Sequence, residues 1–132
     1  MRMIGIDYGT KNVGIALSDE AGEFAMPLTV LFNNKELIPE IKNICKEREV
    51  AQIVLGESKG LDGVPNAIQA QIEEFKKSLE EEIGLHVVFE PEFYTSQEAA
   101  RIQGEVKTLD SSAAALILRS YLDKQLEKKQ HD

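Results

Sequence analysis

"MIGIDYGTKNVGIAL", residues 3–17, decides the fold. The apolar run Met3-Ile4-Gly5-Ile6 leads into Asp7, then into Gly9 and a turn. A second apolar run, Val13 to Leu17, follows at once. Two strands, 3–8 and 13–18, joined by Gly9-Thr10-Lys11-Asn12 read as a β-hairpin. A carboxylate between Ile6 and Tyr8 in a central strand is costly unless it is paired or holds a metal. Asp7 is therefore the first functional candidate.

Outward from the hairpin, Ala25 to Phe32 reads as a third strand, with Pro27 near its start or at an edge. Asn33-Asn34 offers a helix cap. Leu37, Ile38, Ile41, Ile44 and Cys45 recur at three- and four-residue steps, which predicts a helix over 35–48. Pro39 fits there only within the first turn. "AQIVLG", 51–56, is apolar but for Gln52, as expected of a central strand covered on both faces. "GLDGVP", 60–65, reads as a loop. Ile68, Ile72, Phe75 and Leu79 predict a helix over 66–82. "LHVVFE", 85–90, is a fifth strand. "TSQE", 95–98, has the form of a capping box and opens a short helix near 96–103. Asp110 heads a last helix whose apolar side is read as Ala113, Leu116, Ile117, Tyr121 and Leu122. The tail "EKKQHD" is expected to fray. The order β-β-β-α-β-α-β-α-α predicts an α/β fold: a mixed five-stranded sheet, its first three strands antiparallel, with helices packed on its faces.

Composition narrows the function classes. The 132 residues suit one domain, 1–132, with one core. Apolar residues make up 42% and charged residues 29%, a globular balance. No apolar run approaches the roughly 18 residues that span a membrane, and the stretch after Arg2 lacks a signal-peptide h-region and a small-residue cleavage site, so no secretory signal is expected. The single cysteine, Cys45, has no partner for an internal disulfide, so a cytoplasmic location is expected and Cys45 reads as packing. The net charge of −8 argues against tight, non-specific nucleic-acid binding. It does not exclude an enzyme that gathers acids around a metal.

Four acids stand where strands end or a helix begins: Asp7, Glu57, Glu92 and Asp110. Sites in open sheets form where parallel strands end. Taken singly, Asp110 suits a helix cap and Glu57 and Glu92 suit solvated loops. Together, crowded carboxylates need a cation among them. Their oxygens suit Mg²⁺ or Mn²⁺, and a pair of such ions about 3.5–4 Å apart can drive phosphodiester hydrolysis. In the turn, Gly9 permits close backbone approach, Thr10 offers a hydroxyl and an N–H, and Lys11 can meet a phosphate. The plain alternative is a tight turn that favours Gly and Asn. His86 and His131 have no partner at metal-ligand spacing. Tyr8, Tyr94 and Tyr121 are too scattered for a stacking platform and read as packing residues.

"GIDYGTKNVGIALSD", 5–19, resembles the Asp-x-Gly-x-Lys-x-x-Gly-x-Ala opening of the YqgF family, small bacterial proteins with an RNase H-like fold. "IVLG" and "LDG" (61–63) fall at that family's strand end and following loop. "TSQEA" resembles its Thr-Thr-x-Glu-Ala, and "LDSSAAALILRSYLD", 109–123, its closing helix. The resemblance implies a metal-dependent nuclease, described for pre-16S rRNA and earlier for Holliday junctions. Carried over by position, its catalytic and metal-binding acids are Asp7, Glu92 and Asp110, with Lys11 near the substrate phosphate; Gly9 and Thr10 join it as substrate-binding candidates from the reading of the turn. Where the family has Asp-Glu-Arg this chain has Pro91-Glu92-Phe93, and where it has Leu-Pro this chain has Glu57-Ser58. Glu57 is thus an added metal-ligand candidate, at a place where junction resolvases carry an acid. Arg101, Lys107 and Arg119 are candidate sources of positive charge. The expected partner is nucleic acid, with pre-rRNA ahead of a DNA junction, and a ribosome precursor with it. The chain is expected to be a monomer or weak homodimer. A non-catalytic ribosome-assembly module is the reading from another class.

Overall fold

A computed structural model describes residues 1–58, 68–92 and 110–131, with the backbone alone at 58, 92, 110–112 and 129–131. The elements are β1 (Arg2–Asp7), β2 (Asn12–Ser18), β3 (Ala25–Phe32), α1 (Leu37–Glu47), β4 (Val50–Ser58), α2 (Gln69–Ile83), β5 (His86–Glu92) and α3 (Asp110–His131). The sheet order is β3-β2-β1-β4-β5. β1, β2 and β3 are antiparallel neighbours, whereas β4 runs parallel to β1 and β5 parallel to β4. The expected mixed sheet is therefore present. The loop expected at 60–65 and the helix expected near 96–103 lie outside the described residues.

Strand alternation divides the core in two. Ile4, Ile6, Val13, Ile15, Ile53, Leu55 and Val87 face α1 and α2, meeting Ile41, Ile72 and Leu79. Met3, Ala16, Val54 and Val88 face α3, meeting Ala114, Ile117, Leu118 and Leu122. β4 lies between two parallel neighbours and feeds both clusters, which explains its apolar run Ile53-Val54-Leu55. The Cys45 thiol packs in the first cluster, and burial pushes its pKa up to about 11, so it is protonated and inert at neutral pH.

Three local expectations need correction. Asn33 and Asn34 do not cap α1. Its N-cap is Glu36, with no side-chain cap bond. Asn34 Oδ1 instead accepts from the Glu36 N–H at 2.9 Å, a turn just before the helix, and Asn33 is drawn to the hairpin turn. Pro39 does sit in the first turn of α1, where its missing N–H costs nothing. The tail is drawn into the helix: α3 continues to His131. The buried face of α3 also differs from expectation, because Leu116 is 39% exposed while Ala114 and Leu118 are fully buried. "AAALIL" is apolar all round, so periodicity cannot choose its face. Gly5 chooses it: a Cβ there would lie 2.7 Å from Leu118 Cβ and 2.9 Å from the Ala114 carbonyl oxygen. The helix backbone rests on β1 where a side chain is missing.

The β2–β3 turn is closed by Asp19. Its Oδ1 accepts from the N–H groups of Glu23 (2.8 Å) and Phe24 (3.1 Å). Those donors, Phe24 first, hold the Asp19 carboxyl below its usual pKa. Gly22 supplies the φ of +72° that the turn requires.

Candidate active site

The C-terminal ends of the parallel strands β1, β4 and β5 lie along one edge of the sheet. Ile6 pairs with Leu55, Glu57 with Pro91, and Ser58 with Glu92. Asp7, Glu57 and Glu92 are thus the terminal or near-terminal residues of three adjacent strands. Glu57 and Glu92 fall inside their strands, which run farther than their apolar cores suggest.

Register then separates these acids. Asp7 shares parity with Met3 and Gly5, whose face is covered by α3. Tyr8 lies on the other face, its ring 4.8 Å from Phe75 of α2. Position 92 shares parity with Val88 and Glu90, again the α3 face. Glu57 shares parity with Ile53 and Leu55, the α1/α2 face. The sheet therefore lies between Glu57 and Asp7. Position 57 thus lies on the face opposite to that of Asp7 and position 92, because a strand's side-chain period is two.

The direction of α3 brings in the fourth acid. Leu122 Cδ2 comes within 3.9 Å of a Cβ built on Gly22, beside Met1, at the N-terminal end of β1. Ala114 and Leu118 lie over Gly5, farther along the strand. α3 therefore runs back against β1. From Ala114 to Asp110 is one turn, about 6 Å of rise. From Gly5 to Asp7 is two strand residues, about 6.6 Å. The head of α3 lies over the end of β1 that carries Asp7.

A buried acid that the sequence reading missed ties the two acid-bearing elements together. Glu90 is 2% exposed on the α3 face of β5. Its Oε2 accepts from Ser120 Oγ at 2.9 Å and from Lys124 Nζ at 2.6 Å. Ser120 and Lys124 are four residues apart on α3, so both reach one carboxylate. Gln52 Nε2 donates to Tyr121 Oη at 3.1 Å and adds a link from β4. No periodic signal marks Glu90; only its burial does.

The hairpin turn is anchored as firmly. A Cβ on Gly9 would come within 2.4 Å of the Asn12 carbonyl oxygen, so only glycine closes this turn without a shift. Asn33 Nδ2 donates to the Gly9 carbonyl at 2.8 Å, and the Asn33 N–H donates to the Lys11 carbonyl at 2.9 Å. Thr10 and Lys11 are left exposed beside Asp7. Among the described residues, no three His, Cys, Asp or Glu side chains form a group able to hold a metal ion. The side chains of Glu92 and Asp110 are outside that set, as are Arg101 and Lys107. Arg119 is exposed on α3, and His86 opens β5 at the far end of that strand.

A family model described as RuvX, Holliday junction resolvase, matches residues 1–124. The chain belongs to the RuvX family. The resemblance read from its opening and closing motifs is therefore borne out. A Thermoanaerobacter pseudethanolicus protein named "Putative pre-16S rRNA nuclease" is 33% identical over 97% of this chain and 100% of its own length. One of the same name from Lachnospira eligens is 38% identical, over 93% of this chain and 97% of its own. Among solved structures, Thermus thermophilus RuvC matches with a TM-score of 0.60 at 13% identity, covering 96% of this chain and 97% of that one. The fowlpox virus Holliday junction resolvase matches with a TM-score of 0.58 at 17% identity, covering 95% and 99%. At these identities the likeness is one of fold, the RNase H-like fold expected from the sequence. Within the described residues no helix is long and apolar enough to cross a membrane.

Proposed function

We propose that this RuvX-family chain is a one-domain cytoplasmic endonuclease that hydrolyses a phosphodiester in the 5′ leader of pre-16S rRNA. The observation that carries the reading is the convergence of three acid positions. Asp7 and position 92 share one face and one end of the sheet, and the head of α3, Asp110, lies over that end. The names of the relatives supply the substrate class.

Asp7, Glu92 and Asp110 are the proposed metal-binding set. Their carboxylate oxygens are hard donors of the kind that suits Mg²⁺ or Mn²⁺. Such ions, one or two of them, supply charge neutralisation at the phosphate and a lowered pKa for the attacking water when bound. The chain's own residues do the positioning. The Gly9 turn, fixed by Asn33, presents the Thr10 and Lys11 backbone and the Lys11 ammonium to a phosphate oxygen. Water attacks phosphorus in line and gives a proton to solvent; a new P–O bond forms as the bond to the leaving ribose oxygen breaks, and that oxygen takes up a proton from solvent. Glu57, on the opposite face, has no part in the step.

The description of the family model favours a second reading, resolution of DNA four-way junctions. A direct comparison decides. The full chain with Mn²⁺ is incubated with a pre-16S rRNA leader and with a four-way junction. Cutting of the leader, with the junction left intact, is the expected result. Cutting of the junction alone would move the protein to the second reading, and cutting of neither would make it a binding module.

A further inference from the structure

Phe32 has the highest exposure, 73%, of the large apolar side chains described. Single exposed apolar residues are common, so exposure alone decides nothing. Its position does. Asp7 pairs with Gly14 and Gly14 with Val30, forming one cross-strand row. The next row on that face pairs Asn12 with Phe32. Phe32 therefore lies on the face of Asp7, at the same end of the sheet, two strands away. Neighbouring strands are about 4.8 Å apart, so the two columns are separated by roughly 10 Å. Between them lies the Gly9–Lys11 turn.

The same contacts that anchor this turn also anchor Phe32. Asn33 follows it directly and bonds both the Gly9 and Lys11 carbonyls. The ring is thus carried on a braced strand end beside an exposed lysine. Among the described residues no packing role accounts for it: Leu28 and Leu31, its neighbours on β3, reach the first core cluster, and Phe32 reaches neither cluster.

We infer that Phe32 is a stacking platform for an unpaired nucleobase next to the phosphate held by the Gly9–Lys11 turn beside Asp7, so that the substrate is single-stranded beside the scissile bond. This rests on the nuclease reading. An aromatic face accepts any base, but only one splayed out of a duplex. The arrangement combines the two contacts that single-strand binding uses, a cation on the backbone and a ring under a base.

The chain has no tryptophan, so Phe32→Trp installs a single tryptophan, excited selectively over the tyrosines, at the proposed contact. The full-length protein is titrated with a single-stranded RNA and with an abasic strand of equal length, with Ca²⁺ replacing Mg²⁺ to slow cutting. Base-bearing RNA should quench the tryptophan. Phe32→Ala should bind that RNA about tenfold more weakly, while Phe32→Trp restores affinity. The abasic strand should bind wild type and Phe32→Ala alike. Equal affinity of wild type and Phe32→Ala for base-bearing RNA, or binding without quenching, would overturn the platform alone. If wild type bound neither strand, the nuclease reading would fall and the platform with it. A wild-type dimer dispersed by Phe32→Ala in sedimentation would make Phe32 a contact between copies and overturn the platform too.

Discussion

Asp7→Asn will slow leader cleavage by roughly a hundred- to thousandfold and leave the melting temperature nearly unchanged. The side chain keeps its shape and loses only its charge. At a metal-assisted site that charge helps hold the cation, whose neutralisation of the transition state is worth several kcal/mol. Stability is affected far less, because Asp7 is partly exposed at a strand end and its neighbours Ile6 and Tyr8 keep their packing. Removing one negative charge from a chain of net −8 also relieves repulsion. Single-turnover cleavage and thermal unfolding on the same sample read both effects. A variant that cut like the parent would contradict the assignment of Asp7.

Gly5→Ala has the next largest effect, and it acts at a distance. The added methyl would meet Leu118 Cβ at 2.7 Å and the Ala114 carbonyl at 2.9 Å. Neither atom belongs to a flexible side-chain end, so α3 must lift from β1. Overpacking of this kind costs about 1–3 kcal/mol, or on the order of 5–10 °C in melting temperature for a chain of this size. The head of α3 moves with the helix, so Asp110 shifts relative to Asp7. A misplacement near 1 Å can cost about a hundredfold in rate. Cleavage should therefore fall well below wild type even at temperatures where the variant is fully folded. Gly84→Ala is the control. Gly84 closes α2 with φ +81° and has nothing within 4 Å of a built Cβ. It should lose about 1 kcal/mol through backbone strain, without loss of rate per folded molecule. Equal rate losses in the two variants would show that stability, and not the position of α3, sets activity.

Much of the fold was legible because its signals are local. The hairpin, the apolar run Ile53-Val54-Leu55 of β4 and the 3–4 spacing of α1 and α2 each follow from period and turn chemistry. The acids at strand ends were legible too, since strand order can be argued from topology. What sequence could not supply was parity. Whether Glu57 faces the other acids depends on the register between β1 and β4, one residue of which flips a side chain to the opposite face. Burial hid in the same way. Glu90 reads as an ordinary acid in "FEPE" until α3 covers it and brings Ser120 and Lys124. Asn33 was read as a cap because Asn favours caps. Its actual partners, Gly9 and Lys11, are more than twenty residues away and belong to a tertiary contact. Phe32 closes an apolar strand in the sequence, and only the sheet register and its exposure set it apart, whereas Tyr8 and Tyr121 serve packing and a hydrogen bond.

A crystal soaked in Mn²⁺ and measured for anomalous scattering locates the cation directly. The expected peak is bonded to Asp7, Glu92 and Asp110 oxygens at about 2.0–2.2 Å, on the face covered by α3, with Glu57 uninvolved. Manganese on Glu57, or Glu92 and Asp110 held apart from an Asp7 that binds no ion, would contradict a metal site built by β1, β5 and α3.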